Sequence, residues 1–233
     1  MNGMTMSCTV AQAVPDERAA FIRRTYGHLA GAVGAFVVLE YLLITSPIAD
    51  PILRLAFGTS FGWLGVLGAF MVCGWLARSL AANVASVPLQ YTGLALYVVA
   101  EALIFLPMIY LALSMSDATL LPTAGILTLG LFGGLTMIAF TTRTDYSFLG
   151  GVLTLGGFLA LGLIVCSVIF GFELGLLFSA GMVVLAGAAI LYDTSKIIHN
   201  YRTDQHVGAA LELFASVALL FWYVLRILMR ARR

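Results

Sequence analysis

The sequence predicts an all-α membrane protein with seven transmembrane helices, and three observations lead to this prediction. Hydrophobic residues make up 61% of the 233 residues, and charged residues only 10%, against about 25% in an ordinary soluble protein. Mean hydropathy is high, at +1.03. Seven apolar runs are each close to the length of about 20 residues that crosses a bilayer. The chain therefore has almost no soluble mass.

The seven runs are separated by short connections that proline helps to define. The runs lie near residues 26–45, 61–81, 91–113, 122–141, 147–170, 174–193 and 208–229. Pro47 and Pro51 end the first run, Pro88 precedes the third and Pro122 opens the fourth, because proline disrupts a helix interior. Pro107 alone lies inside a run, the third, where we expect a kink.

The runs divide the chain into a polar N-terminal segment (1–25), a transmembrane domain (26–229) and a basic tail (230–233). With the N-terminus in the cytoplasm, seven of the twelve cationic residues lie inside and the outer loops hold only Arg54, as the positive-inside rule requires. The short loops favour a bacterial cytoplasmic membrane.

The arginine-rich tail conflicts with this orientation, because a seventh span would carry it outside. The four tail arginines are Arg226, Arg230, Arg232 and Arg233. Either the earlier helices fix the orientation and the tail is tolerated, which we favour, or the last helix does not fully cross the membrane.

Several functional classes are excluded by composition. A net charge of +1 gives no electrostatic basis for binding nucleic acid. The single lysine, Lys196, lies at the end of a run, where it cannot hold retinal inside the bundle. His28, His199 and His206 lie at or beyond the membrane edges, which argues against an intramembrane serine protease and against haem. We therefore expect neither an enzyme nor a cofactor.

Four carboxylates lie in or at the edge of the apolar runs: Glu40, Glu101, Asp193 and Glu212. A charged side chain at the centre of a bilayer costs about 3 kcal/mol or more, so such residues mark functional sites. Glu40 is near the outer end of the first run and is expected to reach the interface. Glu101 is near the middle of the third run and is expected to line a pore or polar cavity.

Asp193 and Glu212 are expected near the same face of the membrane. The sixth run ends at Asp193, and the seventh begins on the same side, shortly before Glu212. If the two helices touch, the acids could share a proton as a pH switch, or weakly hold Ca²⁺, which prefers oxygen ligands. An equal alternative is that both are interfacial acids neutralised by Lys196, Arg202 or Arg78.

The stretch L-Y-D-T-S-K-I at 191–197 resembles the signature at the end of the sixth helix in the Bax inhibitor family of membrane proteins. Residues 21–31 are similar to the start of that family's first helix, 134–150 to its fourth helix and following loop, and 210–226 to its seventh helix. The resemblance covers nearly the whole chain. It implies a bundle in which six helices surround a central C-terminal seventh.

The resemblance also implies a pH-sensitive calcium leak channel. In the family, two aspartates on the last two helices pair near the cytoplasmic face, and an arginine of the second helix latches the closed state. Asp193 matches the first aspartate and Arg78 is a gapped match to the arginine, but Ser216 stands where the second aspartate is expected. Glu212, one turn earlier, could rebuild the carboxylate pair.

The serine is similar to the YccA-like bacterial branch of the family, which binds and restrains a membrane-bound AAA protease. Two functions therefore remain. The first is a cation channel in the bilayer, gated at Asp193 with Arg78 or Glu212 as the counter-group, and with Ca²⁺ as the permeant or weakly bound ion. The second is a regulatory protein that docks its helices and polar N-terminus onto the protease. We slightly favour the channel, and expect a monomer.

Overall fold

The fold is that of a computed structural model, which describes residues 9–84, 86–115, 117–142 and 144–232, apart from the side chain of Ser60. Within these ranges the chain forms α1 (Pro15–Thr45), α2 (Ala49–Gly58), α3 (Ser60–Ala81), α4 (Val87–Ser114), α5 (Leu120–Thr142), α6 (Leu149–Phe170), α7 (Leu176–His199) and α8 (His206–Ala231). Seven of these helices are long and apolar enough to cross a membrane. The predicted all-α, seven-span fold is confirmed.

The first helix begins well before the predicted boundary at residue 26. Pro15 occupies its first turn, where a missing N–H costs nothing, and Asp16 and Glu17 there complement the helix dipole. Helix α1 therefore includes residues 15–25 of the segment predicted to be polar. Before α1, Val10 is fully buried and its N–H donates to the Tyr201 carbonyl at 2.8 Å. Residues 1–8, part of the segment proposed to dock a protease, lie outside the described residues.

Helix α2 was not predicted, because its ten residues are too few to cross a bilayer. It buries one face through Ala49, Leu53 and Ala56. Leu53 and Ala49 pack against Leu106 of α4. The connection between the first two spans is thus a short amphipathic helix and not a loop.

Helix α8 occupies the centre of the bundle, as the family resemblance implied. It packs against α1, α3, α4, α5 and α7. Helix α4 shares the centre: it is mostly buried and continues through Pro107 to Ser114. Helix α6 is peripheral and packs against α7 and α3. We call the end of the bundle that holds the start of α1 and the α7–α8 connection the α1 end, and the opposite end the tail end.

The tail is held at the tail end by the loops there. Arg232 forms an ion pair with Asp117 in the α4–α5 connection. Arg230 lies 3.8 Å from a carboxylate oxygen of Glu173, and its Nη1 donates to the Leu174 carbonyl at 3.3 Å. Helix α8 therefore runs from one end of the bundle to the other, and the side of the membrane on which the tail lies stays a prediction. Loop acids pair with Arg230 and Arg232, so these two charges can lie on this side.

Glu40 is enclosed by the protein and does not reach the membrane surface. Only 5% of the residue is exposed, and among the described residues neither carboxylate oxygen has a hydrogen-bond partner. It shares its face of α1 with Phe36, which is also buried. The expectation that Glu40 is interfacial is therefore wrong. Because a buried polar group without a partner costs about 1–3 kcal/mol or more, this acid reduces the stability of the fold.

Gly93 of α4 lets α3 and α4 approach closely. A Cβ atom at this position would lie 2.5 Å from the carbonyl oxygen of Ala77 and 2.6 Å from the nitrogen of Ala81. We therefore expect Gly93→Ala to force the helices apart and to lower the free energy of unfolding by about 1–3 kcal/mol. The melting temperature of the purified protein in detergent measures this change. Gly65→Ala in α3, where a Cβ meets nothing within 4 Å, is the control, and equal melting of both variants would contradict the prediction.

Candidate functional site

A cavity of about 830 Å³ lies between α3, α4, α6, α7 and α8. Much of its lining is apolar. Towards the α1 end it is lined by the polar side chains of Arg78, Tyr97, Glu101, Glu212 and Ser216. It extends to Leu174 and Arg226 near the tail end. The cavity therefore follows most of the length of the bundle and brings five polar groups together inside it.

Arg78 joins three helices at the α1 end of the cavity. It lies in the last turn of α3, and its Nε donates to Oε2 of Glu212 on α8 at 3.2 Å. Its Nη2 donates to the Tyr97 hydroxyl on α4 at 3.3 Å, and the guanidinium carbon lies 4.9 Å from the centre of that ring. The Arg78 and Glu212 side chains are 42% and 29% exposed. The ion pair thus faces the cavity and is not sealed in a core.

Asp193 is bound to Ser216 between α7 and α8. The Ser216 hydroxyl donates to Oδ2 of Asp193 at 2.5 Å. Both residues are more than nine-tenths buried. Ser216 also lines the cavity, so Asp193 is one hydrogen bond away from it.

The structure brings the predicted residues into two pairs, Arg78 with Glu212 and Asp193 with Ser216. It does not pair Asp193 with Glu212, although the two acids are close enough to interact electrostatically. The structure therefore does not contain a proton shared by these two acids. It contains one of the alternatives instead, the neutralisation of Glu212 by Arg78. The gating roles of all four residues stay predictions.

Two other predicted counter-ions are used elsewhere. Arg202 pairs with Asp204 at 3.2 Å. The Lys196 ammonium lies 5.5 Å from the centre of the Tyr201 ring and 5.9 Å from that of Tyr192. Burial raises the pKa of Tyr201, so this phenol is neutral at physiological pH. Lys196 therefore acts on Asp193 at a distance and not through contact.

Glu101 is deeply buried, with 4% of its surface exposed, and it lines the cavity; its role as a pore acid stays a prediction. Tyr97, which accepts a hydrogen bond from Arg78, lines the same cavity. Sequence reasoning missed Tyr97. The available signal was its position four residues before Glu101, which places both side chains on one face of a helix. Tyr97 and Glu101 therefore line one cavity with the Arg78–Glu212 pair.

The candidate calcium ligands do not form a closed metal site. Across the described ranges, the structure contains no group of three or more His, Cys, Asp or Glu side chains that could hold a metal ion. Ca²⁺ usually takes six to eight oxygen ligands. The oxygens of Asp193 and Glu212 are bonded to Ser216 and Arg78, so an ion would have to compete with these partners.

Residues 18–233 match the family model described as Bax1-I, inhibitor of apoptosis-promoting Bax1. The chain is 32% identical over 219 residues to an uncharacterized protein of Pseudomonas aeruginosa, covering 92% of each chain. It is 34% identical over 125 residues to the modulator of FtsH protease YccA of Escherichia coli, covering 53% of this chain and 56% of YccA. It is 27% identical over 230 residues to Bax inhibitor 1 of Schizosaccharomyces pombe, covering 94% and 79% of the two chains. This multi-pass membrane protein therefore belongs to the Bax inhibitor family.

Proposed function

We propose that the protein is a cation leak channel whose pathway is the cavity between α3, α4, α6, α7 and α8. The observation that carries this proposal is the lining of an intramembrane cavity by two acids, Glu101 and Glu212. Ionisable residues inside a membrane are costly and mark ion pathways. Carboxylate oxygens suit Ca²⁺, which we propose as the permeant ion, held weakly and in passing near Asp193 and Glu212.

In this proposal the described structure is the closed state. The guanidinium of Arg78 lies in the pathway, tied to Glu212, and its positive charge repels a cation. Ionised Asp193 interacts favourably with Arg78 and helps to hold it in place. When Asp193 takes up a proton, this attraction disappears and the latch weakens. Flux should therefore rise as pH falls.

The test is calcium flux into liposomes that contain the purified protein, between about pH 8 and about pH 5.5. We expect flux to increase towards acid pH in the wild type. Asp193→Asn keeps the shape but carries no charge, so we expect its flux to stay near the acid level at every pH. Asp204→Asn, an acid paired with Arg202 at the surface, should respond to pH as the wild type does. No flux above empty liposomes at any pH would contradict the channel.

We further propose that the N-terminus is cytoplasmic and that the membrane is the bacterial cytoplasmic membrane. Arg18, Arg23, Arg24 and Arg78 all lie at the α1 end, which supports this orientation under the positive-inside rule. Arg230 and Arg232 at the other end are paired with loop acids. One relative, from E. coli, is named inner membrane protein YccA.

A second candidate function is binding and restraint of a membrane-bound AAA protease. Its support is the similarity to YccA, a protein named as a modulator of FtsH protease. The test is co-purification of such a protease with the full chain, together with the rate at which the protease degrades a membrane substrate. A regulator slows degradation and carries no current alone, whereas a channel conducts without a partner. The two assays therefore separate the two functions.

A further inference from the structure

A groove separate from the central cavity runs along the outside of the bundle between α1 and α4. Its volume is about 560 Å³. Small residues form its α1 wall, including Gly27, Gly31 and Ala35, while Leu94 and Val98 belong to its α4 wall. A Cβ atom added at Gly27 or Gly31 would meet nothing within 4 Å. The groove is therefore open space beside an apolar wall.

Positive charge is concentrated at one mouth of this groove. Arg23 and Arg24 line it at the α1 end and are exposed. Within the described parts of the chain, neither guanidinium takes part in an ion pair of the kind seen for Arg78. Two cationic side chains without an ion-pair partner in the described residues therefore lie beside a groove whose own lining is almost entirely apolar.

The other polar groups at the mouth satisfy each other. Nδ1 of His28 lies 2.7 Å from the Arg24 carbonyl oxygen, and Nε2 lies 2.7 Å from the Tyr91 hydroxyl. Because a carbonyl can only accept, a neutral His28 ring carries its proton on Nδ1, and Nε2 accepts from the hydroxyl of Tyr91. This pair joins α1 to α4 and fixes the wall of the groove. The guanidinium groups remain as the donors for a ligand.

The groove is longer than the acyl layer of one membrane leaflet. Its lining runs along α1 from Arg23 to Leu39, about 24 Å of helix at a rise of about 1.5 Å per residue. A hydrocarbon core of about 30 Å gives about 15 Å for each leaflet. The groove therefore extends from the headgroup layer, where the arginines lie, through the acyl layer beside the glycines. Its ligand must have an anionic head and an apolar chain.

We propose that an anionic phospholipid binds in this groove. Its phosphate contacts Arg23 and Arg24, and one acyl chain lies along Gly27, Gly31 and the facing α4 residues. Guanidinium groups bind phosphate oxygens with paired, charge-assisted hydrogen bonds, and basic pockets between transmembrane helices bind anionic headgroups. Neutral lipids fill the apolar part equally well but lack the charge that the mouth complements. The inference does not depend on ion conduction.

The test is native mass spectrometry of the purified full chain, titrated in detergent with phosphatidylglycerol or with phosphatidylcholine of the same acyl chains. We expect the wild type to retain phosphatidylglycerol at lower concentration. Each arginine near a membrane surface contributes about fivefold in affinity for anionic lipid, so Arg23→Gln with Arg24→Gln should lower the affinity about 25-fold. Arg18→Gln removes the same charge from α1 outside the groove, and should change it less than about twofold.

A second variant tests the apolar part without touching the arginines. Gly31→Leu places a larger side chain in the groove. Its Cβ meets no protein atom within 4 Å, and leucine favours a helix more than glycine does, so we expect a melting temperature no lower than that of the wild type and loss of lipid retention. Equal retention of the two lipids by the wild type would overturn the proposal, as would an Arg18→Gln loss equal to that of the double variant. Displacement of the lipid by soluble glycerol phosphate would reduce the site to a phosphate site. A wild-type dimer that Gly31→Leu converts to monomer would assign the groove to a second copy of the chain.

Discussion

Arg78→Gln is expected to increase calcium flux at neutral pH about tenfold. The substitution removes the ion pair with Glu212 and the hydrogen bond to Tyr97, so α3 loses its polar tie to α8 and α4. Breaking an ion pair costs up to about 1 kcal/mol at a surface and about 3 kcal/mol or more in an interior, and this half-exposed pair lies between the two. A closed state weakened by about 1.4 kcal/mol opens about tenfold more often. Flux into liposomes measures the change.

The Arg78–Glu212 ion pair can also be broken by changing Glu212, and a change at an ion pair outside the cavity supplies the control. Glu212→Gln also removes the ion pair, so it should raise flux, and the double variant should add little to either single change because the two residues are coupled. Arg202→Gln breaks a pair of similar exposure with Asp204, but away from the cavity, and should leave flux unchanged. If Arg78→Gln conducts no more than the wild type, Arg78 does not close the pathway.

The seven spans were predictable because a helix that crosses a bilayer requires about 20 apolar residues. Apolar runs of that length are recognisable without knowledge of local structure. The boundaries were less predictable. Helix α7 was expected to end at Asp193 but continues to His199. Its polar residues Thr194 and Ser195 are almost fully buried, so the helix is extended by packing against its neighbours and not by hydropathy. Helix α2 was missed because it carries neither the length nor the hydropathy of a span.

The convergence of Arg78, Asp193, Glu212 and Ser216 was predictable from topology, because all four lie near the same ends of adjacent helices. Their pairing was not. Glu212 and Ser216 are one turn apart on α8, and a small rotation of that helix decides which of them faces Asp193. The structure turns Ser216 towards Asp193 and Glu212 towards Arg78. Only the packing of the whole bundle fixes that rotation.

Glu40 and Glu101 show the limit of reading acids in apolar runs. Each residue is a single carboxylate within a hydrophobic stretch, and each is about 95% buried. Glu101 lines the cavity beside Tyr97, whereas Glu40 lies among apolar side chains with no partner in the described residues. The two acids have the same sequence pattern. They differ in that Glu101 faces the cavity, and the cavity is formed by helices that are distant in the chain.

Ser216→Asp is expected to make the stability of the protein strongly dependent on pH. Ser216 stands where the family resemblance implies a second aspartate, and its hydroxyl lies 2.5 Å from Oδ2 of Asp193. Two ionised carboxylates about 4 Å apart repel each other by about 4 kcal/mol at an effective dielectric constant of about 20. The repulsion disappears when one carboxyl binds a proton and donates it to the other. The variant should therefore melt at a lower temperature than the wild type at alkaline pH and recover as pH falls.

The controls separate charge from shape. Ser216→Asn has nearly the same size but no charge, and its amide can donate to Asp193, so its melting temperature should not recover in acid. Ser216→Asp combined with Asp193→Asn leaves a single carboxylate at the site, and the acid recovery should vanish there too. If Ser216→Asp alone shows no such recovery, its carboxylate has turned into the cavity, towards Arg78. In that case flux should fall, because a second acid then strengthens the hold on the arginine. The melting curve and the flux assay therefore decide where the added charge lies, and with it whether this bundle accommodates a dicarboxylate pair between α7 and α8.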